Sequence, residues 1–321
     1  MNLHRTILSS LFALSILHSQ NDPGPRPGPP NAGQPLPRLT PAELAYFQEG
    51  LSRFREIDSV SGTQPGAPGT GLGPRFNSNS CSSCHAQPSV GGSSPSPRSP
   101  QVPVTNPQIA AGVAFGATNR IPPFIQPDGP VREVRFARQS DGSADGGVHD
   151  VFVITGRIDA GSCNITQPDF ATAQAQNNIF FRISSPTFGG GLIESIPESA
   201  ILANKSANTQ MKARMGISGH ENRSGNDGTI TRFGWKAQNK SLEIFGAEAY
   251  NVEQGVTNEG FPNERNTTAG CVFNATPEDR SNLLNGNPSS PNFGTTIGTL
   301  SETSSDLVNF CLLYTSPSPR D

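Results

Sequence analysis

The stretch from Asn77 to Gly92, NSNSCSSCHAQPSVGG, constrains this chain more than any other. It sets Cys81, Cys84 and His85 inside a run of Ser, Asn, Gly and Pro that is too polar and turn-prone to form a core. Packing does not explain two thiols one helical turn apart with an imidazole directly after the second. Three chemistries use thiols at this spacing. A structural zinc ion needs four ligands. The chain has no second CxxC and no spaced His pair, and His85 directly after Cys84 makes shared tetrahedral ligation awkward. A thioredoxin-like dithiol sits at a helix start after a core strand, yet the residues before Cys81 are polar and glycine-rich. The third chemistry is covalent attachment of c-type haem, with Cys81 and Cys84 as thioethers to the two vinyl groups and His85 below the ring as the proximal iron ligand. The motif and its surroundings favour the third, with zinc and the dithiol kept as alternatives.

Composition agrees with a fold that leans on something besides apolar burial. Of 321 residues, 34 are Gly and 30 Pro, and only 33% are hydrophobic. These values predict a loop-rich protein with a small core, stabilised in part by a cofactor, a metal or a disulfide. Charged residues make up 15% and the net charge is −3, with no basic run. That excludes a nucleic-acid groove and an anionic-membrane patch as expectations. Residues 1–20 have a short basic start and an apolar run from Ile7 to Leu17, too short to span a bilayer, which reads as a secretory signal. No other stretch approaches membrane-spanning length, so the mature chain is expected to carry no membrane span, to be periplasmic or secreted, and to be allowed disulfides. Residues 21–39 are too rich in Pro and Gly to pack and read as an extended tether.

The domain is expected over residues 40–310. Thr40, Pro41 and Glu43 mark a helix start with a capping box, and Leu44, Phe47, Leu51, Phe54 and Ile57 follow on one face. Residues 131–138, 148–157 and 178–184 alternate as strands do. Residues 195–216 read as one helix with a second capping box at Ser195 and Glu198 and a stop at Gly216, and LEIFGAEAYNVEQG reads as another helix.

The segment GLGPRFNSNSCSSCHAQPSVGGSSP resembles the di-haem oxidoreductase family, also labelled peroxidase or thiol oxidoreductase, relatives of the bacterial di-haem cytochrome c peroxidases. The likeness continues in VHDVFVITGR, FGGGLIESIPESAIL, RFGWKAQ, AEAYNVEQGVTNEGFP and CVFNATPEDR, covering roughly Glu43 to Phe310. The fold expected is mainly α, cytochrome c-like and loop-rich, with a small β insertion. The function expected is an exported c-type haem oxidoreductase with peroxidase-like electron transfer, served by a redox partner protein or a small-molecule electron donor. The alternative is a non-enzymatic electron carrier or haem-binding domain. The resemblance also implies a second CxxCH and a second haem; this chain has one such motif. The last residues, CLLYTSPSPRD (311–321), can be encoded by a transposase adapter used in sequencing libraries. They are read as an artefact, with the natural chain expected to continue past Phe310.

Haem iron needs a sixth ligand or an open position for substrate. His149, on a strand-like run, is the first candidate, ahead of His220, Met211 and Met215. Glu194 is a candidate acid–base for O–O cleavage, set against service as a helix-start carboxylate. Trp235, the single Trp, is read as core packing. Arg75, Arg120, Arg157 and Arg232 are available for haem propionates. Cys163 and Cys271 are expected to form a disulfide in an exported protein, the alternative being two free thiols.

Overall fold

The first helix forms where its cap dictates. In α1 (Pro41–Arg55) the Thr40 hydroxyl accepts from the Glu43 N–H at 3.3 Å, and the Glu43 carboxylate accepts from the Thr40 N–H at 2.7 Å. Those bonds, the backbone one first, hold the Glu43 carboxyl below its ordinary range. The computed structural model describes residues 33–95, 106–258 and 260–278. The signal reading, most of the tether and residues 311–321 lie outside the described residues. Leu39, at the tether's end, already packs against the cluster that α1 builds.

Helix α1 turns Phe47, Gly50 and Phe54 inward. The periodicity also puts Leu44 and Ile57 on that face. Both stay over one-third exposed, and Ile57 lies beyond the helix end. Phe47 and Phe54 meet Phe233 and Leu242 in a small apolar cluster, with Cys81 and Phe188 at its margin. A second, larger cluster joins Val60, Leu72 and Phe76 to Val134, Phe152, Ile154 and the Cys163–Cys271 pair. The one-turn helix α2 (Cys81–Cys84) packs Cys81 against the smaller cluster.

Among the described residues, five short strands make two sheets. Strand β1 (Arg75–Phe76) pairs antiparallel with β4 (Phe152–Val153). Strand β2 (Glu133–Phe136) is the centre of an antiparallel β3–β2–β5 sheet, with β3 at Val148–His149 and β5 at Ile179–Arg182. The run 148–157, expected as one strand, is split between the two sheets. Its backbone is diverted in between: Val151 donates its N–H to the Asn77 side chain at 2.9 Å, and its carbonyl accepts from Gln167.

The remaining helices are α3 (Pro107–Val113), α4 (Phe170–Ala175), α5 (Gly190–Glu194), α6 (Glu198–Ser206), α7 (Thr209–Arg214) and α8 (Leu242–Ala249). The single helix expected over 195–216 is therefore two. Asn208, in the left-handed region at φ 54°, breaks it, a conformation Asn tolerates. The second capping box is absent: Ser195 closes α5, and the Glu198 carboxylate accepts from the Ile230 N–H at 2.7 Å. Gly216 does stop α7, with Ile217 N–H bonded to Lys212 O and Gly216 N–H to Ala213 O.

The expectation of a mainly α, cytochrome c-like fold with a small β insertion is corrected by these elements. Among the described residues helix amounts to 30% and strand, isolated bridges included, to 12%, and the rest is loop. Glycine and proline are too frequent for helices to run on, and α6 and α7 bury none of their residues. Cross-linking supplements the modest core: Cys163 and Cys271 are bonded, with Cα atoms 4.7 Å apart and a sequence separation of 108. Among the described residues, no helix is long and apolar enough to cross a membrane.

Replacing Cys271 with Ala should cost about 4–5 kcal/mol of unfolding free energy, the loop-closure value for a cross-link of this span. The drop should appear as a lower denaturant midpoint, matched in the parent by adding reductant. A parent midpoint indifferent to reductant would mean that the bond does not form.

Candidate functional site

Residues 73–78 lead into α2 along a docked path. Gly73 N–H bonds to Gln254 O at 3.2 Å, and Asn77 N–H to Glu253 O at 2.7 Å. Both acceptors belong to one turn of π-helix, Tyr250–Gln254, that continues α8, a distortion often found at functional sites. Contact is close enough to require glycine on both sides. A Cβ on Gly73 would lie 2.5 Å from Gly255 O, and one on Gly255, at φ +79°, 2.8 Å from Arg75 O. Gln254 then donates its side-chain amide to Cys81 Sγ at 3.1 Å.

The turn Cys81–Cys84 ends at His85, whose N–H bonds to Cys81 O at 3.0 Å. Neither cysteine is in a disulfide. The chain then folds back: Gly91 N–H bonds to His85 O, while Ala86 and Gln87 N–H groups bond to Ser93 O. Gly92 has no room for a side chain, since a Cβ there would meet Gln87 O at 2.0 Å. The return brings the Gly92 carbonyl to 3.2 Å from His85 Nδ1. A carbonyl only accepts, so Nδ1 carries the proton in this contact. Burial lowers the imidazole's proton affinity, opposed by the carbonyls of Gly92 and Ser185, so a neutral ring is favoured. Phe54 meets it edge-on at 6.0 Å.

The Cys84 thiol is pushed up to about 12, first by burial and then by the charge of Glu253, with a smaller push from Glu133. A thiolate is opposed here, whereas a thioether sulfur has no proton to lose and carries no charge. Together with the neutral imidazole, this makes the turn suited to covalent haem, in which both sulfurs are thioethers without charge. Among the described residues, no three His, Cys, Asp or Glu side chains gather as a metal-binding group.

The other sequence candidates fall elsewhere. His149 pairs with Val134 across β3–β2 and stacks on Phe136 at 3.8 Å. Directly paired residues share a face, so His149 lies on the face of Val134 and Phe136. Glu133, whose charge reaches Cys84, lies on the opposite face. His149 Nε2 is also 2.9 Å from the Asp145 carboxylate. Glu194 accepts from the Leu242 N–H at 3.0 Å and so caps α8. His220, Met211 and Met215 are exposed. Trp235, expected in the core, is 48% exposed. Arg157 is buried in a two-bond pair with Asp159, Arg75 and Arg232 bond to backbone carbonyls, and Arg120 is exposed.

Residues not singled out from sequence stand closer. Glu253 accepts from Asn77 Nδ2 at 2.9 Å. Its carboxyl is raised to about 8, by burial first and by Glu133 and Asp150, against the Asn77 bond and Arg265. Segment 184–188 lines the same loop: Ser184 O accepts from Ser93 Oγ at 2.6 Å, and Thr187 N–H bonds to Gly91 O at 2.8 Å. Just beyond it, Leu192, Ile193 and Ile196 are 41–55% exposed. The sequence held one usable signal, a Glu in a segment of the family resemblance, but the contact spans 176 residues.

Because the folded state holds the Glu253 proton more tightly than the unfolded chain, this group's contribution to stability should fall as pH rises from about 4.5 to about 8. Glu253→Gln should flatten that part of the stability–pH curve, measured by denaturant unfolding. A curve with the parent's slope would show that Glu253 is not the group responsible.

Comparison with known proteins comes to one match. Residues 135–311 fit the family model described as "Di-haem oxidoreductase, putative peroxidase". The matched stretch begins downstream of the CSSCH turn and includes the π-helical turn docked on the approach to it. No curated protein and no solved structure matches. The family match covers more than half of the 321 residues, and by it the chain belongs to the di-haem oxidoreductases, a family of haem-dependent oxidoreductases.

Proposed function

We propose that the Cys81–His85 turn attaches one haem c covalently and that the protein is an exported, peroxidase-like electron-transfer enzyme. The observation that carries the reading is the His85–Gly92 bond, which fixes the imidazole of the residue that directly follows two cysteines held in no disulfide. Cys81 and Cys84 would hold the group by thioethers, and His85 would be its proximal ligand. When bound, the haem supplies an iron centre that exchanges single electrons and, with an open sixth position, reduces peroxide.

The chain's own residues have definable parts in this. The Gly92 carbonyl fixes the imidazole's tautomer and orientation, and Phe54 limits its tilt. Leu192, Ile193 and Ile196 offer apolar cover on the segment after the CSSCH loop. Glu253, with a carboxyl protonated near neutral pH, can hold a proton beside Cys84. Electrons would come from a redox partner protein or a small donor. The second haem of the family's name would sit on a second CxxCH, which these 321 residues do not contain. Export fits the reading, because c-type haem is attached outside the bacterial cytoplasm.

Expressed with a cytochrome c maturation system, the protein should keep its haem through denaturing electrophoresis, and Cys81→Ala or Cys84→Ala should reduce the stain. His85→Ala should change the spectrum while leaving attachment. Haem lost from the parent under denaturant would overturn the reading. Cyanide should shift the parent's Soret band; an unmoved band would favour a closed electron carrier over an enzyme.

A further inference from the structure

The sheet face that holds Glu133 carries an unmet charge. Glu133, Arg135 and Arg182 share that face, since Glu133 is paired with Arg182 across β2–β5 and Arg135 lies two residues along. Glu133 is engaged by Arg135, which also bonds to Gly146 O. One carboxylate therefore serves two guanidinium groups. Arg135 Nε and Arg182 Nη2 are both buried without a hydrogen-bond partner. A buried guanidinium N–H left unpaired is costly. Burial, and next the charge of Arg135, make Arg182 harder to keep protonated. Arg182 is also held flat, its guanidinium 3.2 Å from the centre of the Trp235 ring. Trp235 is half exposed, so its contact with Arg182 orients the cation without closing it off.

Position ties this pair to the attachment turn. Three residues after Arg182, the Ser185 carbonyl faces the His85 ring, and the Glu133 charge is felt at Cys84. A porphyrin held by its vinyl groups at Cys81 and Cys84 carries two carboxylates at its other edge. We propose that Arg135 and Arg182 form a carboxylate clamp for a haem propionate, with Trp235 as the residue that positions Arg182. The clamp rests on the haem reading above, and it replaces the arginines that sequence alone suggested. The planar, multi-donor guanidinium suits this role, because it matches carboxylate geometry where an ammonium does not.

The test uses the matured, haem-bearing protein with Arg182→Gln, Arg182→Lys and Trp235→Leu. Haem stain after denaturing electrophoresis of the parent reports on the haem reading separately: a parent without covalent haem removes both claims. With haem present, Arg182→Gln should shift the propionate bending band in resonance Raman spectra and lower the midpoint potential, since a cation near the ring favours the reduced form. Arg182→Lys should recover part of the potential but not the band, and Trp235→Leu should broaden the band. The second carboxylate source is tested with acetate. If acetate perturbs the Soret band of the parent but not of Arg182→Gln, while the propionate band is the same in both, the clamp takes a free carboxylate and the propionate assignment falls. If band, potential and acetate response are all unchanged, there is no clamp. Should Arg182→Gln fail to fold, Arg135→Gln must shift the same band, and an unshifted band there overturns the proposal.

Discussion

The docking of the Tyr250–Gln254 turn onto residues 73–78 is the contact on which the site depends. It is made of backbone bonds to Gly73 and Asn77, the close passage of Gly73 and Gly255, and the Gln254 contact to Cys81 Sγ. The CSSCH turn has only four helical residues, each of them half-buried, and an isolated turn of that length has no stability of its own. It is ordered because α8 and its π-helical extension hold the segment before it, and because the Gly91–Ser93 return holds the segment after it. Asn77 is the junction. Its amide reaches Glu253, and its carbonyl takes the Val151 N–H that would otherwise have continued a strand.

Much of this was legible wherever the signal is local. The capping box of α1 needs four consecutive residues, and they were readable as such. The alternation in residues 131–138 and 178–184 showed strands, and β2 and β5 lie within them. Cys163 and Cys271 followed from counting. What stayed hidden depends on register and long-range contact. Alternation cannot say which neighbours a strand residue meets, so the pairing of His149 with Val134 and its stacking on Phe136 were not readable from the sequence. The same lack hid Arg135 and Arg182. Helical spacing over 195–216 was read correctly as helix, but a single Asn in the left-handed region broke it, and propensity does not forbid either outcome.

The overall class differs from the mainly α expectation for a related reason. A haem-attachment motif carries an association with small helical proteins, and the association was extended to the whole chain. Composition argued the other way, since 34 Gly and 30 Pro leave little room for long helices. The fold accordingly uses short elements, a disulfide and side-chain bonds to backbone in place of long packed helices. Function follows the site and not the class: the neutral Cys84 thiol and the fixed imidazole are local properties, and loops supply them as well as helices would.

The most direct measurement is tandem mass spectrometry of the proteolytic peptide that contains residues 81–85, taken from protein matured with haem. The account predicts one haem bridging Cys81 and Cys84 through two thioethers on the same peptide. Recovering that peptide with both cysteines unmodified, or joined to each other as a disulfide, would contradict it.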